Sequence, residues 1–266
     1  MPARLRAHAH AIAERAHVPY SRARAGAALL LDDGTWVAAP RLENASFPLT
    51  VTALQGALAL AAAEKAAPVA VALSRPLSRG EHALIEDWTG ALWRRESPDF
   101  ACRTGVALPA LKKPVRLALR LPPPPDAEGG VALALAAADN ARVPASGFPV
   151  GAAVEDDEGR LVVGANVELE SDWSRGLCAE RTALVAARAA GLGEVRRIYV
   201  ACAKAPGGTP CGGCRQVIAE LAPAAEVVVW RGAAPPDVTT PAALLPAAFG
   251  AARLDSGRRD GRPAGP

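Results

Sequence analysis

The strongest constraint on the fold is an internal repeat that covers most of the 266-residue chain. Residues 18–28 return as residues 143–153, and both stretches carry Val-Pro-x-Ser followed by Gly-Ala-Ala, at a spacing of 125 residues. Further along, residues 76–86 match residues 210–220, so the landmarks keep their order. A repeat of this length indicates two similar domains rather than one large one.

A proline run, residues 122–125, divides the two copies. Proline can continue neither a helix nor a central strand, so we interpret this run as an extended linker. Each copy is predicted to read helix, β-hairpin, helix, strand and helix, with one more strand in the second copy, which makes the fold class α/β. The predicted divisions are a first domain (1–121), a Pro-rich linker (122–128), a second domain (129–250) and a disordered tail (251–266).

Composition excludes several classes of protein. The net charge of +3, from 30 basic and 27 acidic residues, is too balanced to indicate a nucleic-acid partner. No apolar run is long enough to span a membrane, and the first 15 residues lack the apolar core of a signal peptide, so we expect a cytoplasmic protein. Five cysteines, an odd number, argue against a disulfide framework and favour metal binding or catalysis.

The two copies differ most at their cysteines. Residues 178–181 read Cys-Ala-Glu-Arg, whereas the aligned residues 52–55 read Thr-Ala-Leu-Gln. Residues 210–214 read Pro-Cys-Gly-Gly-Cys, whereas residues 76–80 read Pro-Leu-Ser-Arg-Gly. The first copy therefore lacks the thiols, and a metal bound by them can belong only to the second copy.

In the second copy, Cys178, Cys211 and Cys214 precede apolar helical runs. Free N–H groups at a helix N-terminus favour the thiolate form, and Zn²⁺ binds thiolates well. A catalytic zinc keeps three protein ligands and leaves a fourth position for water, on which Glu180 could act as a proton carrier. The competing interpretation is a closed four-cysteine site that recruits Cys202. That residue lies inside an apolar run, so we favour a buried core thiol.

Five motifs in order carry a resemblance to a known family. They are Ser-Gly-Phe148-Pro-Val-Gly-Ala-Ala, Asn166-Val-Glu168, Cys-Ala-Glu-Arg-Thr-Ala, Pro-Cys-Gly-Gly-Cys-Arg-Gln and Leu-Leu-Pro-Ala-Ala-Phe249. Together they resemble the cytidine deaminases of the zinc class with all-cysteine ligands, over nearly all of residues 129–250 and more weakly over residues 3–90. The resemblance implies two tandem three-layer α-β-α domains, each with a mixed sheet, of which the first is degenerate and the second catalytic.

The resemblance also implies an activity and a role for each motif residue. It implies the hydrolytic deamination of cytidine and 2′-deoxycytidine in pyrimidine salvage, with one Zn²⁺ per chain and a small nucleoside as the only partner besides a second copy. Glu180 would move protons between water, the ring and the leaving amine. The zinc ligands would be Cys178, Cys211 and Cys214; the substrate contacts Phe148, Asn166, Glu168 and Phe249; and the donors to the thiolates Arg181 and Arg215.

One loop departs from the family pattern. After Asn-Val-Glu the second copy continues with residues 169–173, Leu-Glu-Ser-Asp-Trp, whereas the first copy keeps the family's form with Asn44, Ala45 and Phe47. We hypothesise that the first domain supplies this loop in trans to a neighbouring active site, in a homodimer that mimics a tetramer of single domains. The altered loop leaves open a related zinc deaminase for another aminopyrimidine or purine nucleoside. A non-enzymatic, zinc-stabilised scaffold is the remaining alternative, and the intact Glu180 weighs against it.

Overall fold

The computed structural model describes residues 1–64, 66–120, 126–250 and Leu254. Most of the predicted linker, and all of the predicted tail except Leu254, lie outside the described residues. Two sheets with helices on their faces account for the fold, which confirms the α/β class. In the part of the chain that is described, no helix combines the length and the apolar character that a membrane crossing requires.

The first half forms a five-stranded sheet with the order β2-β1-β3-β5-β4, in which every neighbouring pair is antiparallel. Its loop at Phe47–Leu49 is a short 3₁₀ turn. The elements are α1 (Pro2–Ala13), β1 (Gly26–Leu31), β2 (Trp36–Pro40), α2 (Ala53–Ala61), β3 (Pro68–Leu73), α3 (Arg79–Thr89), β4 (Trp93–Ser97) and β5 (Phe100–Arg103).

The second half forms a six-stranded mixed sheet with the order β11-β10-β9-β7-β8-β6, in which only β9 and β10 are parallel among the described pairs. Its loop holds a 3₁₀ turn at Trp173–Arg175. The elements are β6 (Leu119–Arg120), α4 (Ala127–Ala138), β7 (Gly151–Asp156), β8 (Arg160–Ala165), α5 (Ala179–Ala190), β9 (Val195–Ala201), α6 (Gly212–Leu221), β10 (Glu226–Arg231), β11 (Ala234–Thr239) and α7 (Pro241–Leu244).

Successive residues of the central strands face opposite sides of the second sheet, and both sides are covered by helices. On one side, Ala153, Tyr199 and Val228 form an apolar cluster with residues of α4. The alternate residues, among them Val154 and Val200, belong to the core that contains α5 and α6. The second half is therefore a three-layer α-β-α unit.

The first sheet differs from the second beyond its third strand. In the second half, α6 is followed by β10, which runs parallel to β9. In the first half, α3 is followed by the hairpin β4–β5, and β5 runs antiparallel to β3. The first sheet is therefore wholly antiparallel, whereas the resemblance implied a mixed sheet in each copy.

Helix α5 packs against both halves of the chain. It lies on β7 and β8 of its own sheet and also contacts α2 and β2 of the first half. Gly56 in α2 permits this approach, since a Cβ there would stand 3.0 Å from a methyl group of Val185 in α5. One continuous apolar core consequently joins the two halves.

The glycine of the repeated Gly-Ala-Ala motif lets a helix lie directly on a strand. A Cβ at Gly151 would stand 1.8 Å from the carbonyl oxygen of Ala134 in α4. A Cβ at the equivalent Gly26 would stand 2.2 Å from the carbonyl oxygen of Ala9 in α1. Because the obstacle in both cases is backbone, no rotamer change can make room for a side chain.

We expect Gly151→Ala to destabilise the protein by at least about 1–3 kcal/mol, because the added methyl group must push α4 off β7. Thermal unfolding of the purified variant measures this. Gly80→Ala is the matched control, since a Cβ at Gly80 meets no heavy atom within 4 Å. Equal melting temperatures for the two variants would contradict the close packing described here.

Candidate metal centre and catalytic pocket

Three thiols meet where α5 and α6 begin. Cys178 is the N-cap residue of α5, Cys211 is the N-cap residue of α6, and Cys214 lies in the first turn of α6. The three sulfur atoms lie within 4.8 Å of one another, and Cys178 Sγ stands 3.8 Å from Cys211 Sγ. The backbone N–H of Cys214 also points at Cys211 Sγ, with an N···S distance of 3.5 Å. Two helix N-termini thus converge on one group of sulfurs.

The spacing of the sulfurs suits a tetrahedral zinc ion. Zinc–thiolate bonds of about 2.3 Å at the tetrahedral angle place two sulfurs about 3.8 Å apart, which is the separation of Cys178 and Cys211. Among the described residues, Cys202 is not part of the group, although it lines the adjoining cavity. Three thiols beside a cavity fit a site that keeps a coordination position open for a small molecule.

The thiols share their protons unequally. Hydrogen bonds from Cys178 and Cys214, together with the N–H groups at the start of α6, lower the pKa of Cys211 to about 2. The hydrogen bond with Cys211, together with burial, raises the pKa of Cys178 to about 12 against the lowering effect of Cys214. The hydrogen bond with Cys178 is the main cause that raises the pKa of Cys214. Metal ligation requires deprotonated thiols, so a divalent cation bound by the three sulfurs would favour the thiolate form of each.

Glu180 lies two residues beyond the first thiol and is 4% exposed. Its position in the first turn of α5 directs it toward the cavity, of which it is a lining residue. Burial raises the pKa of its carboxyl group. A carboxyl group whose pKa is raised holds a proton more readily than a solvated one, which suits a group that carries protons.

The cavity next to the thiols has a volume of about 600 Å³, which is within the range of small-molecule sites. The described lining residues include no Lys or Arg. They are Ser146, Phe148, Val150, Asn166, Val167, Glu168, Trp173, Gly176, Leu177, Cys178, Ala179, Glu180, Val200, Cys202, Gly208, Thr209 and Cys211. The cavity thus offers aromatic and apolar walls, a few polar groups and no cation for a phosphate.

Two polar side chains fasten the loop that carries Phe148. Glu168 accepts hydrogen bonds from the N–H groups of Ala145 and Ser146 and from the Ser146 hydroxyl, at 3.2, 3.0 and 2.5 Å. Asn166 Oδ1 accepts from the N–H of Val150, and its Nδ2 donates to the Phe148 carbonyl. A carboxylate has about four acceptor positions and an amide nitrogen has two N–H donors. Each side chain therefore retains hydrogen-bonding capacity for a ligand.

Sequence comparisons agree with this geometry. The family described as the cytidine and deoxycytidylate deaminase zinc-binding region matches residues 125–230, and a second model of the same description matches residues 2–73. A cytidine deaminase of Halalkalibacterium halodurans is 42% identical over 118 residues, which are 44% of this chain and 88% of that protein. One from Mycobacterium tuberculosis is 40% identical over 125 residues, 46% of this chain and 89% of that protein.

The chain belongs to the cytidine deaminase family. Among solved structures, a cytidine deaminase from Burkholderia pseudomallei is 40% identical, covers 46% of this chain and 98% of its own, and has a TM-score of 0.43. These relatives each correspond in length to about half of this chain. The zinc cofactor that the family implies fits the three thiols described above.

Several of the predicted site residues lie together in the structure. One cavity is lined by Phe148, Asn166, Glu168, Glu180 and two of the thiols, and the Cys214 sulfur lies within 4.8 Å of those two sulfurs. Phe249 is not among the described lining residues. Its side chain is 43% exposed, and its carbonyl oxygen accepts a hydrogen bond of 2.6 Å from Gln216 Nε2. Contact between Phe249 and the substrate stays a prediction.

The two predicted donors to the thiolates have other partners in this structure. Arg181 Nη2 donates to the carbonyl oxygen of Leu49 in the first half, at 3.0 Å. Arg215 donates to the carbonyl oxygens of Pro210 and Leu244 and to Thr209 Oγ1. Among the described residues, neither guanidinium has a hydrogen bond to a cysteine sulfur. Their effect on the thiolates therefore stays a prediction.

Two features of the pocket were not predicted from the sequence, although the altered loop of residues 169–173 was singled out for its effect on substrate choice. Trp173, 64% exposed, lines the cavity, although the tryptophans show no regular spacing along the chain. Gln55 of the first half donates to the carbonyl oxygen of Arg175, in the loop that carries Trp173, at 2.9 Å. The alignment of Gln55 with Arg181 was the available signal, because both side chains can donate from the same position of the repeat.

We expect the purified protein to hold about one zinc ion per chain, and Cys214→Ser to hold close to none, because a hydroxyl group replaces one of three ligands. Metal analysis after dialysis measures both. Cys202→Ser is the control, since Cys202 lies outside the group of three sulfurs. Loss of zinc from Cys202→Ser would instead indicate a closed four-cysteine site.

Proposed function

We propose that this chain is a zinc-dependent hydrolase that converts cytidine and 2′-deoxycytidine to uridine and 2′-deoxyuridine, with release of ammonia. The observation that supports it best is a buried carboxyl group, Glu180, beside three thiols that suit zinc, both at one cavity of about 600 Å³. This reaction would serve the salvage of pyrimidine nucleosides. The free thiols suit a reducing compartment such as the cytoplasm. Because the described lining carries no Lys or Arg, a nucleoside suits the cavity better than a nucleotide.

The two halves then have different tasks. We assign catalysis to residues 129–250, where all the thiols of the centre lie, and a supporting role to residues 1–121. In the first half, Thr52, Leu54 and Gln55 stand where the second half has Cys178, Glu180 and Arg181. Residues 122–128 join the two domains in this scheme, and residues 251–266 follow the catalytic domain as a tail.

The proposed chemistry assigns a task to each group of the cavity. Zinc at the three thiols supplies a Lewis acid that lowers the pKa of a water molecule. Glu180 takes one proton from the water that attacks C4 and delivers it to ring nitrogen N3. It then takes the remaining proton from the new C4 hydroxyl group and gives it to the amine, which leaves as ammonia when the C4–N4 bond breaks. Glu168 and Asn166 use their remaining hydrogen-bonding capacity on the sugar hydroxyls. Phe148, which is partly exposed in the cavity, faces the pyrimidine ring.

We expect the zinc-loaded protein to convert cytidine to uridine, and Glu180→Gln to lose at least a factor of about 10²–10⁴ in kcat because it cannot carry a proton. Chromatography of the products and zinc analysis of both proteins provide the measurements. Retention of zinc by the variant separates a lost proton carrier from a lost metal. A folded, zinc-loaded parent that leaves cytidine and deoxycytidine unchanged would contradict the proposal.

A second candidate reaction is favoured by one observation, the presence of Trp173 in the pocket wall. An aromatic side chain at that point can favour another flat nucleoside, so the second candidate is deamination of a different aminopyrimidine or purine nucleoside. A panel of such nucleosides, compared with cytidine by kcat/KM, distinguishes the two reactions. Adenosine or a modified cytidine with the highest kcat/KM would replace cytidine as the substrate.

We further propose that two chains associate as a homodimer, in which Phe47 of one chain reaches the pocket of the other. Support comes from the exposure of this large apolar side chain, which is 83% exposed in the single chain and is not among the described lining residues of its own pocket. An apolar side chain so exposed suits burial in a partner. Asn44 and Ala45 would set the path of the loop, and Asn44 is itself buried.

We expect light scattering to give about twice the chain mass of 27.3 kDa. Phe47→Ala should then raise KM for cytidine, because each pocket loses an aromatic contact from its partner. Val238→Ala, at another exposed apolar position, is the control. Unchanged KM and kcat in Phe47→Ala would rule out a contribution of the loop to the neighbouring pocket. A fully active monomer would rule out the need for a dimer.

A further inference from the structure

The wall of the catalytic pocket includes a segment, residues 171–176, that carries an exposed tryptophan. Trp173 begins a short 3₁₀ turn and lines the cavity together with Gly176. Asp172 caps this turn, since its carboxylate accepts from the N–H and the hydroxyl of Ser174. The indole is 64% exposed although its neighbours in the wall, Leu177 and Ala179, are buried. We call residues 171–176 the rim segment.

The first half of the chain holds the rim segment on both sides of Trp173. Before the tryptophan, the Ser171 hydroxyl donates to the carboxylate of Asp87, near the end of α3. After it, the carbonyl oxygen of Arg175 accepts from Gln55 Nε2, at the start of α2, at 2.9 Å. Two anchors that flank a short segment restrict its backbone, so the direction of the indole depends on the first half.

The anchor at Gln55 has a counterpart in the other direction. Arg181 of the second half donates to the carbonyl oxygen of Leu49 in the first half, at 3.0 Å. The two donors are 126 residues apart in the sequence, and so are the two acceptors. The halves therefore exchange equivalent hydrogen bonds. The first copy has no cysteine at the aligned sites and has Gln in place of Arg, yet its side chain donates from this position.

An exposed indole at the mouth of a cavity offers a large apolar face to whatever enters. Tryptophan buries more area than most side chains and stacks well on flat rings, and stacking of a base on an aromatic side chain contributes substantially to affinity. A nucleoside in this cavity would cover the indole and remove its apolar surface from water, which favours binding. The chemistry of the rim therefore suits the ring or the apolar sugar face of a nucleoside.

We propose that Trp173 is a substrate-contacting wall of its own chain's pocket, and that the first half acts as a positioning platform for it through Gln55 and Asp87. This inference rests on the proposed function, because it assigns a nucleoside to the cavity. It gives the non-catalytic half a task in cis, separate from the contribution of Phe47 in trans. Trp173 contacts the ligand, whereas Gln55 acts through the rim segment and is a positioning residue.

The first test compares Trp173→Ala and Trp173→Phe with the parent in cytidine turnover. We expect Trp173→Ala to raise KM about tenfold with kcat changed by less than about threefold, and Trp173→Phe to recover most of the parent's KM. Leu92→Ala, at a residue 74% exposed outside the described pocket lining, is the matched control. Equal KM values for Trp173→Ala and Leu92→Ala would overturn the contact.

Binding without turnover provides a second measurement. In the zinc-loaded Glu180→Gln background, cytidine should change the tryptophan fluorescence, and Trp173→Phe should abolish most of that change. Four other tryptophans remain in the chain and report on the fold. A fluorescence change that persists in Trp173→Phe would show that the ligand does not reach the indole.

The positioning role of Gln55 is tested by rescue. Gln55→Glu keeps the shape of the side chain but places a carboxylate against the carbonyl oxygen of Arg175, so KM should rise about threefold to tenfold with kcat nearly constant. Gln55→Arg restores a donor like that of Arg181 and should return KM toward the parent value. In a Trp173→Ala background, Gln55→Glu should have no further effect on KM. Independent, additive effects would overturn the positioning role.

The two levels of inference fail in different ways. A zinc-loaded parent without turnover of cytidine overturns the proposed function and this proposal with it. A parent that turns over cytidine, with normal constants in both Trp173→Ala and Gln55→Glu, overturns this proposal and leaves the proposed function intact. Melting temperatures within about 3 °C of the parent for these exposed or rim variants show that the comparison is between folded proteins.

Discussion

Helix α5 is the element on which both the fold and the site depend. One side of it packs on β7 and β8, another packs on α2 and β2 of the first half, and most of its residues are buried. A helix enclosed from two directions cannot shift without opening the core that joins the halves. The cysteine and carboxyl group at its N-terminus therefore lie at a fixed point of the molecule, which a metal centre of three thiols requires.

The two copies stabilise the same helix starts with different chemistry. In the first copy, Thr52 Oγ1 accepts from the N–H of Gln55, and Ser78 with Glu81 forms a reciprocal capping box at α3. In the second copy, Cys178 caps α5 without a side-chain hydrogen bond, and its sulfur is free to face the other thiols. A cap of the first kind contributes about 1 kcal/mol. At α6 the second copy keeps a cap, since Cys211 Sγ accepts from the N–H of Cys214, so of these two helix starts only that of α5 lacks a side-chain hydrogen bond.

Much of the fold and of the metal centre could be predicted from the sequence, because periodicity and spacing act locally. The repeat predicted two α/β halves, and the apolar run after Cys178 predicted the helix that the structure shows as α5. The hairpin β4–β5 was missed because β4 has exposed residues at its centre and no alternation of apolar and polar residues. The hairpin depends on a tertiary contact, because β5 pairs with the free edge of β3 and extends the sheet.

The contacts between the halves could not be predicted for a different reason. The acceptors of Gln55 and Arg181 are the carbonyl oxygens of Arg175 and Leu49, and every residue offers such a carbonyl whatever its side chain. The sequence therefore specifies the donors but carries no mark of their partners. Once the structure pairs them, the donor at Gln55 has a physical reason that does not involve the metal. The aligned sites of the first copy carry no thiols, but Gln55 anchors the rim segment of the second copy.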